Sequence, residues 1–208
     1  AMPLVPVAAA LLAAQRGWGL FHLVGAPGWA AGVASFVALD IAVYFQHRVM
    51  HALPLLWRLH RMHHTDLDVD ASTGLRFHPI EILLSTLLKV AVVIALGAPA
   101  LVVIAFEVAL NALATFNHAN ITLGTADRGV RWVLVTPDMH RVHHSTMREE
   151  TDSNFGFSVP WWDRLFGTYR AHSEAGRDLC LGLSIFREPG ASRLDRLLLQ
   201  PFRNLVDR

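Results

Sequence analysis

Four stretches of this chain are too apolar for the helices of an ordinary soluble domain. Leu4–Val24, Trp29–Gln46, Pro79–Leu96 and Ala100–Phe116 are dominated by Leu, Val, Ile, Ala and Phe. A helix needs about 20 such residues to cross the hydrocarbon of a bilayer. Inside lipid every backbone N–H and C=O must be satisfied internally, which helices do segment by segment. The expected fold is therefore all-α, an integral membrane bundle of about four transmembrane helices. Residues 1–208 read as one domain, with spans at about 4–24, 29–46, 79–96 and 100–116. Residues 47–78 and 117–208 are left to form a helical cap outside the bilayer. The first span is the weakest, because Gln15 and Arg16 interrupt it; it reads as a partial or re-entrant crossing. Composition agrees. The chain is 53% hydrophobic and 17% charged, where soluble domains are roughly a quarter charged. A net charge of +1 supplies no global field for nucleic acid. The start, "AMPLVPV", lacks a basic n-region and argues against a cleaved signal peptide.

The breaks between the spans set the topology. "GAPG" at Gly25–Gly28 separates the first two. "GAP" at Gly97–Pro99 is short enough to make spans three and four a hairpin that returns to one side. Span two ends at "QHRVMH", span three starts after His78 and span four ends at "NHAN". All the histidine-rich segments then lie on one face of the membrane. That face carries Arg48, Arg58, Arg61, Arg141 and Arg164, so the positive-inside rule makes it cytoplasmic. Near the C-terminus Leu194, Leu197, Leu198, Phe202 and Leu205 recur at helical spacing between arginines. This pattern suits an interfacial helix and equally a helix packed on the cap.

Histidine is the unusual residue. Of the 12 in the chain, eight fall in three clusters: His47 and His51; His60, His63 and His64; His140, His143 and His144. The last two clusters share the pattern H-x-x-H-H. Residues three and four apart share a helix face, so each cluster offers two or three imidazoles to one point. His118, at the end of span four, makes nine. Packed together without a metal, neutral imidazoles would leave nitrogens unsatisfied at roughly 1–3 kcal/mol each. Nine imidazoles are too many for one ion and suit two. Isolated His22 and His172 read as ordinary core residues. Cys180 stands alone, which excludes an internal disulfide and any cysteine-built zinc or iron–sulfur site. HExxH is absent, haem takes only one or two axial ligands, and soluble di-iron bundles use Glu-x-x-His. An all-histidine dinuclear site beside hydrocarbon fits iron used for O2 chemistry on unactivated C–H bonds. A zinc-dependent hydrolase on the same ligands, or a metal transport or storage protein, are the alternatives. A transporter would spread polar ligands through the membrane depth, whereas these gather at one end.

The ordered blocks "HRVMH", "LWRLHRMHH", "RFHPIE", "NHAN", "TPDMHRVHH" and "SNFGFSVPWWDRLFGTY" resemble the fatty acid hydroxylase / sterol desaturase superfamily over roughly residues 35–170. The resemblance implies an integral-membrane non-haem di-iron oxidoreductase that hydroxylates or desaturates a lipid with O2. The substrate class it implies spans sterols, fatty acyl chains and ether lipids. Carried over position by position, the implied ligands are His47, His51, His60, His63, His64, His118, His140, His143 and His144. Where some members have a further histidine, this chain has Ala114. His78, in "RFHP", is a late ligand, a donor behind the ligands or a cap on the helix opened by Pro79. The chain has no GxGxxG and no CxxCH, so electrons are expected from a separate ferredoxin or cytochrome b5-like donor with its reductase.

Helical phase suggests what supports the histidines. Asp40 lies two turns before His47, and Glu107 and Asn111 share a face with His118. Carboxylates inside spans are costly and mark function by default; they read either as partners for histidine N–H groups or as helix–helix hydrogen bonds. Asp138, Asp152 and Asn154 are weaker candidates for the same role, and turn formation is the alternative reading of the last two. Trp161 and Trp162 read as interfacial anchors. Arg141 and Arg164 read as surface cations or as contacts for lipid phosphate or a donor protein.

Overall fold

The computed structural model describes residues 4–203, and these contain helices but no β-strand; one isolated bridge joins Ser145 and Leu181. The membrane-length helices are α3 (Gly28–Ala52), α5 (Pro79–Leu96) and α6 (Ala100–Asn117). The first apolar stretch is two helices, α1 (Leu4–Arg16) and α2 (Leu20–Leu23). It still ranks, as Leu4–Leu23, among four stretches long and apolar enough to cross a membrane. In the apolar 18-residue window of each span no more than 33% of the residues are buried. The outward faces carry exposed Leu11, Trp29, Val33, Leu87, Leu101 and Val108. An apolar belt of this extent belongs in lipid.

Sequence punctuation sets the helix ends. Pro54 and Pro79 open α4 (Pro54–His60) and α5 at their first turns, where proline's missing N–H costs nothing. Gly97 stops α5 in the left-handed conformation, and Pro99 caps α6. Length then decides what leaves the membrane. The 25 residues of α3 extend about 37 Å at 1.5 Å per residue, more than the roughly 30 Å hydrocarbon. Its last turns project from the bundle and carry His47 and His51. Below them Leu39, Val43, Val93, Val103 and Phe106 form the bundle core with Ala10 and Ala98. Phe36 meets Phe106 edge to face at 5.3 Å.

The first span is broken for a packing reason. Gly19 has φ +100, and a Cβ there would lie 2.0 Å from the Gly97 backbone nitrogen. The break between α1 and α2 is therefore seated on the α5–α6 turn, at the end of the bundle away from the histidines. The helix of α1 alone, 13 residues, is about 20 Å long.

Above the bundle, the cap holds α4 and the short helices α7 (Asp127–Val130), α8 (Pro137–His143), α9 (Arg148–Thr151), α10 (Trp161–Leu165) and α11 (Leu194–Leu199), linked by turns. The C-terminal segment is fastened to α4. The Arg61 guanidinium donates to the Gln200 and Arg203 carbonyls at 2.6 and 3.0 Å and lies over the Phe186 ring. Arg61 is thus a buried structural residue and not one of the surface charges that the topology reading assumed. Leu197 is buried, while Leu194, Leu199 and Phe202 are exposed, so α11 both packs on the cap and presents apolar surface. Leu205 lies outside the described residues.

Gly19→Ala should destabilise the protein far more than Gly17→Ala. Both positions have positive φ, but a Cβ at Gly17 meets nothing within 4 Å. Gly17→Ala is expected to cost about 1 kcal/mol, and Gly19→Ala several-fold more because backbone must move. Thermal unfolding of the two variants in detergent checks this; equal Tm values would disprove the proposed seating.

Candidate metal centre

The nine sequence-predicted histidines come together in one buried cluster where the cap meets the bundle. They divide into two groups: His47, His51, His60, His64 and His143; and His63, His118, His140 and His144. Within each group one nitrogen per ring lies within 4.8 Å of all the others. The H-x-x-H-H boxes do not each serve one point, as helical spacing had suggested. In each box the two histidines four apart share a group and the third crosses over: His60 and His64 against His63, His140 and His144 against His143. The reason is local. Helix α4 ends at His60 and a 3-10 turn, His63–Thr65, follows. Helix α8 ends at His143, with His144 just beyond it. Each turn splays the neighbouring pair of imidazoles. The boxes then interleave, with His64 and His144 stacked at 4.5 Å and His63 meeting His144 edge to face at 4.7 Å.

Backbone and carboxylate oxygens fix the ring orientations. Nδ1 of His47 donates to the Phe155 carbonyl at 2.8 Å, and Nδ1 of His143 to the Ser153 carbonyl at 2.7 Å. Nδ1 of His118 donates to the Ala114 carbonyl at 2.6 Å. Nδ1 of His60 donates to Glu81 Oε1 at 2.6 Å, and that of His51 to Asp152 Oδ1 at 3.3 Å. A neutral imidazole has one N–H, so the neutral form of each of these rings presents Nε2 as a bare lone pair. The Nε2 atoms of His47 and His60 nevertheless face each other at 3.0 Å. That of His118 faces those of His63 at 3.0 Å and His140 at 2.9 Å. Both nitrogens of His64 and of His144 are buried without a hydrogen-bond partner.

These contacts test whether the residues fit metal ions. Two facing lone pairs with no proton between them repel. Two nitrogens bound at right angles to one ion, each at about 2.1 Å, are ~3.0 Å apart. The observed separations match that value, and the donor set is all imidazole, which suits iron, zinc, copper and nickel. Burial beside other imidazoles holds His63, His64, His140 and His144 well below the ordinary histidine range. Burial likewise pushes His118 down to about 4. All five stay neutral at physiological pH, the form a metal requires.

The supporting groups differ from those expected. Asp40 accepts from Trp162 Nε1 at 2.7 Å, and Glu107 pairs with Lys89 Nζ at 2.6 Å. The Asn111 amide donates to the Glu107 carbonyl. All three make contacts between or along helices, and none bonds a histidine. Sequence reasoning missed Glu81, although it stands in the first turn of α5, three residues beyond His78 in the quoted block. It also missed Asp163. That carboxylate accepts from the Phe155 and Gly156 N–H groups, both at 2.8 Å, and from the Thr168 hydroxyl at 2.7 Å. It thereby pins the loop whose carbonyls hold His47 and His143. Burial pushes the Asp163 carboxyl up to about 6. Asn154, in the left-handed region at φ 50, ties the same loop to the Met139 and Arg170 carbonyls.

His78 stands apart from both groups. Its Nδ1 accepts from the Ile80 N–H and its Nε2 donates to the Leu198 carbonyl, so both nitrogens are engaged and it caps α5. Asp138 accepts from the Leu123 N–H. The Arg164 guanidinium lies over the Trp132 and Tyr169 rings, and Arg141 lies near Asn120 and Ile121. Trp161 is exposed. His22 and His172, expected in the core, are also exposed; His22 rests against Gly97.

Aromatic rings seal the cluster from water. Phe77 stacks on His63 at 4.3 Å, Trp57 meets His51 at 4.9 Å, and Phe155 packs against His47, His51 and His143. Gly74 is needed for the close approach beside His118, because a Cβ there would lie 2.8 Å from the Ala114 carbonyl oxygen. One route stays open. A cavity of about 340 Å³ touches His47, His60 and Glu81 and runs down between α3, α5 and α6.

Comparison with known proteins agrees with this geometry. Relatives include an ornithine lipid hydroxylase of Rhizobium tropici, 30% identical over 66% of this chain and 41% of its own length. The human alkylglycerol monooxygenase is 32% identical over 74% of this chain and 34% of its own. A Delta(7)-sterol-C5(6)-desaturase of Nicotiana tabacum is 27% identical over 75% of this chain and 57% of its own. The chain thus spans well under two thirds of the length of these relatives. No solved structure matches. A sequence profile of fatty acid hydroxylases matches residues 32–168, from the body of α3 through the loop pinned by Asp163. With its four apolar spans and its buried histidine cluster, this integral membrane protein belongs to the fatty acid hydroxylase family.

Proposed function

We propose that the protein is a membrane oxygenase that uses two irons, O2 and electrons from a separate donor to hydroxylate or desaturate a C–H bond of a lipid. The observation that carries this reading is the pair of facing Nε2 atoms of His47 and His60 at 3.0 Å, with the Nδ1 of each ring held by an oxygen. His47, His51, His60, His64 and His143 would hold one ion, and His63, His118, His140 and His144 the other. Bound iron would supply the one-electron O2 chemistry that no side chain possesses. Iron is favoured over zinc because the relatives named above are hydroxylases, monooxygenases and desaturases.

The chain's own residues do the rest. Glu81, Asp152 and the Ser153, Phe155 and Ala114 carbonyls hold ring tautomers and aim the nitrogens. Oxygen acceptors behind ligand histidines also raise their basicity. Phe77, Trp57 and Phe155 keep water from the centre. The cavity between α3, α5 and α6 would take an alkyl chain directly from the bilayer and deliver it to the His47–His60 side. Arg48, Arg58 and Arg141 at the cap end support a cytoplasmic position for the site, where a ferredoxin or cytochrome b5-like donor would reach it.

Detergent-purified protein from iron-supplemented cells should contain about two irons per chain, the number nine imidazoles can hold at four or five each. His143→Ala should lose one or both. One zinc with no iron, even after anaerobic iron reconstitution, would replace this reading with a hydrolase.

Glu81→Gln should keep the fold and an acceptor for His60 but remove the charge. Iron affinity, read by competition with a chelator, is expected to fall about 10–100-fold. Unchanged affinity would show that Glu81 does not tune the centre.

A further inference from the structure

A second group of buried charge lies inside the membrane, away from the histidines. Lys89 of α5 and Glu107 of α6 form an ion pair with Nζ and Oε1 2.6 Å apart, both side chains nearly inaccessible. Lys89 follows Glu81 by two turns and more of α5, which at 1.5 Å per residue places it about 12 Å further from the cluster. Neither residue orients a histidine. Stability does not account for the pair, since buried ion pairs are on average no better than apolar residues of equal volume. Both side chains line the same cavity whose upper end touches His47 and His60, and Ser85, Thr86 and Asn111 lie in the wall around them. A tunnel for a bare hydrocarbon chain needs no such patch.

We propose that Lys89 and Glu107 recognise an uncharged hydrogen-bonding group, a hydroxyl or an amide, on the lipid substrate, about 12 Å further along α5 than Glu81. The proposal rests on the oxygenase reading above and deepens it by naming a substrate class. The ammonium has three N–H donors and the carboxylate only acceptor sites. A hydroxyl or amide can donate to Glu107 while accepting from Lys89. An anionic group would face the Glu107 carboxylate, and a cationic one the Lys89 ammonium. The pair is neutral overall, so neither ion gains what it loses on leaving water. A polar group fixed here sets which carbon of the chain reaches His47 and His60, and so selects the position oxidised.

The test is equilibrium binding of radiolabelled hexadecanol, hexadecane, hexadecanoate and hexadecylamine to the full chain in nanodiscs, with uptake by empty nanodiscs subtracted. Hexadecanol should bind about tenfold more tightly than hexadecane, one net hydrogen bond's worth, and more tightly than either charged amphiphile. The combined variant Lys89→Met with Glu107→Leu leaves no stranded charge. It should bind alcohol and alkane alike while keeping its metal content. Equal binding of alcohol and alkane by the unmodified protein, or a preference that survives in the double variant, overturns the proposal. The assay involves no O2 and no turnover. Its failure therefore leaves the oxygenase reading standing, and a chain that holds no iron yet prefers the alcohol removes only that reading.

Discussion

The constraint on which the rest of this molecule depends is electrostatic. Nine imidazoles are buried in one cluster, and the Nε2 atoms of His47 and His60 face each other at 3.0 Å while the Nδ1 of each ring is taken up by an oxygen. Metal ions in the gaps would relieve the repulsion between such facing nitrogens. Many features of the cap serve it. The Phe155 and Ser153 carbonyls, the Ala114 carbonyl and Glu81 take up Nδ1 of their rings and leave Nε2 turned to the cluster. Asp163 holds the loop that supplies two of those carbonyls. The long sequence block ending in "WDRLFGTY" thus acts through its backbone, with Asp163 and Asn154 as its fasteners.

The membrane explains why the cluster is where it is. Helices α5 and α6 have 18 residues each, about 27 Å, close to the hydrocarbon thickness. Helix α3 is longer and carries its histidines past the others. The polar centre then sits at the edge of the bilayer, with apolar rings over it and a cavity beneath it that opens into the bundle. In that position costly polar groups are paired with protein, and an alkyl chain can approach without leaving an apolar phase.

Much of the fold was legible in the sequence, because hydrocarbon thickness and proline–glycine punctuation are one-dimensional constraints. The three long spans start and stop within a few residues of the expected positions, except that α3 runs on to Ala52. The first span, read as interrupted at Gln15 and Arg16, is two helices, α1 and α2. The signal was visible in Gly17 and Gly19, but the cause, contact with the Gly97 backbone, lies across the bundle. The nine clustered histidines were also legible, since no other residue pattern in the chain calls for so many imidazoles at one end of the spans. Of their supporting acids only Asp152 stood among the candidates, and as a weaker one. Helical phase proposed Asp40 and Glu107 because it tells which residues share a face, and it says nothing about what stands opposite. Trp162 and Lys89 stood opposite, and Glu81 and Asp152 reached the histidines instead.

The sequence by itself determined a four-span helical membrane protein with its histidines gathered at one end, because hydropathy and residue spacing act along the chain. Only the tertiary structure decided how the histidines divide. The two H-x-x-H-H boxes cross between groups because α4 and α8 both end inside them, and adjacent rings then point apart. It also decided that His78 caps a helix, that Arg61 is a buried clasp, and that Lys89 and Glu107 meet in a cavity wall. Each of these depends on which groups face each other across elements far apart in sequence, and burial makes those pairings obligatory.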